Sequence, residues 1–121
     1  MYELKVTTHF SAAHQLKMVA EKCENLHGHN WKIEVRIQGE DINEADVLID
    51  FGELKAYLAD IIEGLDHRFL NELDFFKNRN PSSESIARYI AEALQKAIGE
   101  QGKVSSVSAW ESETACATYI C

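Results

Sequence analysis

Apolar and polar residues alternate along the first fourteen positions. Tyr2, Leu4, Val6, Thr8, Phe10 and Ala12 share one parity, and Glu3, Lys5, Thr7 and His9 take the other. This predicts a strand with one buried face. His14 has the buried parity if the strand runs on without a bulge. The alternation is cleaner over residues 27 to 38, "HGHNWKIEVRIQ". Trp31, Ile33, Val35 and Ile37 face one way, and Lys32, Glu34, Arg36 and Gln38 the other. His27 and His29 fall on the apolar parity. Side chains two apart on a strand point the same way, so the two imidazoles emerge side by side. Gly28, between them, permits close backbone approach or a bulge.

The period then lengthens. "DFGELKAYLADIIEGL" opens on Asp50 with Glu53 three residues on, a capping-box pattern, and Leu54, Leu58, Ile61 and Leu65 recur at helical spacing. A second helix is predicted from "NPSSES", with Ser82 or Ser83 as N-cap. Its stripe is Ile86, Ile90, Ala93, Leu94, Ala97 and Ile98, and Gly99 is its stop. From Lys103 to Cys121 the chain is rich in Val, Ser and Thr with no helical stripe. It reads as two strands with a turn near "ESET". The order ββααββ, with strands segregated from helices, predicts an α+β fold: an antiparallel sheet with helices on one face.

Composition adds bounds. The chain has 121 residues, 45% of them hydrophobic and 26% charged, which predicts one globular domain spanning 1–121. A core of this size is modest, and oligomerisation is a natural way to bury more surface. The net charge of -8 disfavours non-specific binding to nucleic acid or an anionic membrane, though not a local basic pocket. The start "MYELKVTTHF" lacks the features of a secretory leader, and no apolar run approaches the ~18 residues of a membrane span. Cys23, Cys116 and Cys121 are too few and too oddly numbered for a disulfide framework, so a cytoplasmic location is expected.

The candidate chemistry centres on histidine. His14, His27 and His29 share the apolar parity of two strands that can be hairpin neighbours. Clustered buried imidazoles are costly to desolvate and crowd one another when protonated. A divalent metal supplies a reason for them. Three imidazoles with a fourth position left open is a catalytic zinc arrangement, with zinc favoured by ligand type and availability. Cys23, in the loop entering the second strand, is a fourth ligand, a nucleophile or base beside the metal, or an inert thiol. Spacing alone leaves the three open. Asp66 and His67 in "GLDHRF" are a carboxylate and an imidazole of the kind used for proton transfer. As neighbours at a helix end they are not expected to face each other. Glu111 shares parity with Val107 and Ala109. A carboxylate there matches the paired N–H donors of a guanidine-like heterocycle edge.

"FSAAHQL", "CENLHGHNW", "VLIDFGELK", "LDHRFLN" and "NPSSESIA" together resemble the 6-pyruvoyl-tetrahydropterin and 6-carboxy-tetrahydropterin synthase family, in order and spacing, over nearly the whole chain. The compact chain is most similar to the bacterial carboxy-forming branch, which serves queuosine and other deazapurine synthesis. The resemblance implies a tunnelling fold whose sheets join edge to edge into a barrel, as a homo-oligomer, commonly a hexamer of two trimers, with active sites between subunits. It implies zinc held by His14, His27 and His29, and Cys23 as catalytic thiol. Asp66 and His67 become proton-relay partners contributed across the interface. Glu111 becomes the pterin anchor, and Ser82 and Ser83 substrate contacts. The implied substrate is 7,8-dihydroneopterin triphosphate, converted to 6-carboxytetrahydropterin with release of acetaldehyde and triphosphate. In the pyruvoyl-forming branch the carbon chain stays. Glu24, next to Cys23, resembles the base of folate-type relatives, which leave a hydroxymethyl product. Lys17, Lys22 and Lys32 are the phosphate candidates nearest in sequence. A rival outside the enzymes is a metal- or pterin-binding module in which Cys23 closes the metal shell.

Overall fold

The computed structural model describes residues 1–18 and 24–121. Four strands, β1 (Tyr2–His14), β2 (His27–Gly39), β3 (Lys103–Trp110) and β4 (Cys116–Ile120), form one antiparallel sheet in the order β1-β2-β3-β4. Two helices, α1 (Phe51–Glu63) and α2 (Ser83–Ile98), lie between β2 and β3 in the chain. The α+β class and the ββααββ order are those expected, with short 3-10 turns added at Leu70–Glu72, Asp74–Phe76 and Gly99–Gln101.

β1 and β2 pair without interruption from Tyr2↔Gly39 to His14↔His27. The absence of a bulge carries the buried parity of β1 through to His14, which is fully buried. Tyr2 departs from the pattern and is half exposed, because at the first position of the strand the core has not yet begun. The one register shift lies between Arg36 and Ile37, opposite Ser105.

The apolar face of the sheet, with Val6, Phe10, Trp31, Ile33, Val35 and Val107, packs against both helices. On α1, Leu54, Leu58 and Ile62 are buried, while Ile61 is half-buried. The Asp50 carboxylate accepts from Glu53 N–H at 3.1 Å, but Glu53 accepts from the Tyr57 hydroxyl, so only half of the capping box forms. On α2, Ser82 is the N-cap, accepting from Ser85 N–H at 3.2 Å. Its buried stripe uses Ala87 and Ala91, while Ala97 faces solvent and Ala93 is half-buried. Gly99 closes the helix with φ 60, a conformation glycine adopts without the steric cost other residues incur.

The outer edge of β1 is partly covered. His67 N–H donates to Ser11 O at 2.6 Å, Ala13 N–H donates to Arg68 O at 3.0 Å, and Ala13 and Phe69 form a parallel bridge. The turn at residues 66–69 thus lies against the end of β1 that carries His14, with one isolated bridge at Phe69. Among the described residues no helix is long and apolar enough to cross a membrane.

Candidate functional site

His14 ends β1 and His27 begins β2, directly opposite each other in register. His29 follows two residues on, on the same face. The ring centroids of His14 and His27 are 4.5 Å apart, those of His27 and His29 4.9 Å, and those of His14 and His29 5.2 Å. Trp31, fully buried, backs the cluster with edge-on contacts to His14 and His29.

The hydrogen bonds of the rings determine what they can bind. His14 Nδ1 lies 2.7 Å from Pro81 O, and His27 Nδ1 lies 2.7 Å from Asn25 O. A carbonyl only accepts, so both Nδ1 atoms carry the proton and both Nε2 atoms present lone pairs. Those two Nε2 atoms face each other at 2.9 Å. Two lone pairs so placed repel unless a cation lies between them. His29 Nε2 is buried with no hydrogen-bond partner, and the Glu111 carboxylate is 3.1 Å from it. One donor atom from each of His14, His27, His29 and Glu111 lies within 4.8 Å of the others. Burial lowers the pKa of both His14 and His29, favouring the neutral imidazole that binds metal. The donor set fits a divalent metal ion of borderline softness. Carbonyls holding the far ring nitrogen are the usual outer shell of such a site.

Glu111 is the first residue after β3, one position later than expected for a strand residue, and it keeps the parity of Val107 and Ala109. Its N–H donates to Ala115 O across the turn, at 3.1 Å. The carboxylate therefore reaches back over the histidine face.

Asp66 and His67 correct the expectation that neighbours cannot pair. His67 has φ 57, and this left-handed turn brings its Nδ1 to 2.9 Å from Asp66 Oδ2 within one chain. Asp66 Oδ1 accepts from Ser11 N–H at 2.9 Å. That bond, and then the bond to His67, hold the Asp66 carboxyl below its ordinary value. The imidazole is exposed, with Nε2 free for proton exchange.

One open cavity of about 1190 Å³ joins these groups, with His29, Glu111 and His67 on its wall. Lys32, Arg68 and His9 also line it, so the cavity has basic groups despite the acidic chain. Sequence reading proposed Lys32 and missed Arg68 and His9. The signal for His9 was its polar parity opposite Lys32, its partner in the register. Arg68 stands beside His67 in "LDHRF". Among the described residues, Ser82, Ser83 and Lys17 do not line this cavity. The Ser82 hydroxyl serves the helix cap, and Lys17 is held through its backbone. Glu24 is exposed, and its carbonyl accepts from Gln15 Nε2 at 3.3 Å. Cys23 and Lys22 lie outside the described residues.

The family model for 6-pyruvoyl tetrahydropterin synthase matches residues 3–120. The chain belongs to this family. It is 38% identical over 102 residues to dihydroneopterin monophosphate aldolase of Pyrococcus furiosus, covering 84% of this chain and 82% of that one. It is 36% identical over 116 residues to 6-carboxy-5,6,7,8-tetrahydropterin synthase of Synechocystis, covering 92% and 87%. The solved structure of Caenorhabditis elegans 6-pyruvoyl tetrahydropterin synthase superposes with a TM-score of 0.88 at 27% identity, covering 99% of this chain and 95% of that one. The fold is thus that of the pterin synthases, as the sequence resemblance implied.

Proposed function

We propose that this protein is a zinc-dependent lyase of the carboxy-forming type. It takes 7,8-dihydroneopterin triphosphate and water to 6-carboxy-5,6,7,8-tetrahydropterin, acetaldehyde and triphosphate, and serves deazapurine (queuosine-type) synthesis in the cytoplasm. The observation that carries the reading is the cluster of His14, His27, His29 and Glu111, whose His29 and Glu111 open onto the same cavity wall as His67 of the Asp66–His67 pair.

His14, His27 and His29 would hold zinc. When bound, zinc supplies Lewis acidity that lowers the pKa of a side-chain hydroxyl of the substrate. Glu111 accepts from the N–H edge of the pterin and fixes its orientation. His67, held by Asp66, exchanges protons with the substrate through Nε2, and Cys23 is its partner base. Lys32 and Arg68 supply the positive charge that a phosphate ester needs, with His9 beside them on the cavity wall, and the motif resemblance makes Ser82 and Ser83 substrate contacts. The free edge of β1 before Ser11 and the outer edge of β4 are suited to joining copies into a homo-oligomer.

A second reading is favoured by one observation. The Pyrococcus relative is named dihydroneopterin monophosphate aldolase, and this chain has Glu24 beside Cys23. In that reading Glu24 is the base, the phosphate is a single one, and the product keeps a hydroxymethyl carbon. Incubation of the zinc-loaded protein with the triphosphate and with the monophosphate, followed by product mass, decides between them. The first reading predicts a 6-carboxy product from the triphosphate that is lost in Cys23→Ala and kept in Glu24→Ala. A 6-hydroxymethyl product lost in Glu24→Ala establishes the second.

A further inference from the structure

The chain does not turn away after His14. Beyond the end of β1 the backbones of Gln15 and Lys17 are each held by an asparagine side chain, and Leu16 between them is buried. Gln15 N–H donates to Asn71 Oδ1 at 2.9 Å, and Asn71 Nδ2 donates back to Gln15 O at 2.9 Å. Lys17 N–H donates to Asn80 Oδ1 at 2.8 Å, and Asn80 Nδ2 donates back to Lys17 O at 2.7 Å. A carboxamide offers a donor and an acceptor side by side, as a peptide group does. Each asparagine therefore replaces one residue of a missing neighbouring strand. Counted with the bonds at Ser11 and Ala13, four alternate residues, 11, 13, 15 and 17, are satisfied along one edge.

This edge reaches the site from both sides. Asn80 directly precedes Pro81, whose carbonyl fixes the His14 ring. Gln15, held by Asn71, donates through its side chain to the Glu24 carbonyl. The sequence motifs "LDHRFLN" and "NPSSES" thus each supply one asparagine whose role the proposed reaction leaves unused.

We propose that Asn71 and Asn80 form a positioning clamp: they hold the backbone of Gln15–Lys17 in place and so fix the metal ligand His14 and the backbone of Glu24 relative to each other. The clamp rests on the proposed function only in its turnover arm. The test compares Asn71→Ala, Asn80→Ala and Asn80→Asp, which keeps the acceptor and loses the donor. The exposed Asn78→Ala serves as control, with Ile98→Val as a core variant of lowered stability far from the site.

Three readouts are taken: amide exchange at Gln15 and Lys17, zinc affinity by chelator competition, and kcat on dihydroneopterin triphosphate. The alanine variants are expected to raise exchange at their own partner residue about tenfold, the scale of one lost hydrogen bond. They are expected to weaken zinc binding about tenfold, the low end for outer-shell partners, or to lower kcat by as much. Asn80→Asp falls between alanine and wild type, and the two controls leave zinc affinity and kcat unchanged. Unchanged exchange at Gln15 and Lys17 overturns the clamp. So does raised exchange with zinc affinity and kcat both at wild-type values, or equal losses in Ile98→Val. If one alanine variant fails to fold, the other and Asn80→Asp still decide. Absence of turnover in the wild type removes the proposed function and leaves exchange and zinc affinity to judge the clamp.

Discussion

The imidazoles of His14 and His29 are held neutral by their surroundings, and this has a consequence for the metal-free protein. Desolvation is the first cause for both His14 and His29, with the neighbouring His27 adding to it and Glu111 opposing. Their folded-state pKa values lie below the ordinary 6.5, so at mildly acid pH the unfolded chain binds more protons than the folded one. Stability is then full above 6.5 and falls as pH drops through the window beneath it. Urea unfolding of the chelated protein at pH 8 and pH 5.5 is expected to show a lower midpoint at the acid value. His14→Gln is expected to flatten that dependence, and a wild-type midpoint equal at the two pH values would contradict the burial argument. Asp66 works in the opposite charge sense. Its carboxyl is held down by Ser11 N–H and His67, so its contribution is present at neutral pH and is lost only as pH falls below the ordinary 3.8.

At the scale of elements, the strands and helices were legible because each has a buried face with a regular period. The parity of β1 led to His14 because no bulge interrupts its pairing with β2, and "HGH" puts two rings on one face by strand geometry alone. The helical stripe of α2 was less exact. Alanine is small enough to serve on either side of a boundary, and Ala87 and Ala91 face the core where Ala97 does not. The Asp66–His67 pair was illegible because it depends on one left-handed residue, and nothing in the local pattern marks His67 as that residue. The edge ladder of Asn71 and Asn80 was hidden for another reason: its partners are 56 and 63 positions away. Ser82 carries an element-scale prediction. Ser82→Ala removes the N-cap of α2 and is expected to cost about 1 kcal/mol. In a chain of this length that is a fall of roughly 3–5 °C in melting temperature. If the hydroxyl serves only the cap, KM for the pterin is unchanged; a raised KM at saturating zinc would give Ser82 the substrate contact that the motif resemblance implies.

The whole molecule gathers its chemistry at one end of the sheet. The same end of β1 holds His14 of the candidate metal site on its buried face, a cavity wall on its open face and the Asp–His pair on its edge. Neither helix contributes a side chain to the histidine cluster. Their part is to pack the apolar face of the sheet beside the cluster and, through Pro81 just before α2, to aim His14. A chain of net charge -8 thus still gathers Lys32, Arg68 and His9 on the wall of one cavity. The account stands or falls on metal-dependent breaking of the pterin side chain at this cavity. The most direct measurement is the pterin product formed from 7,8-dihydroneopterin triphosphate by the protein after chelation, and again after zinc is restored, with His27→Ala alongside. The predicted result is a 6-carboxy product that disappears on chelation, returns with zinc and does not return in His27→Ala. The same product formed at the same rate without metal, or by His27→Ala, would contradict the account.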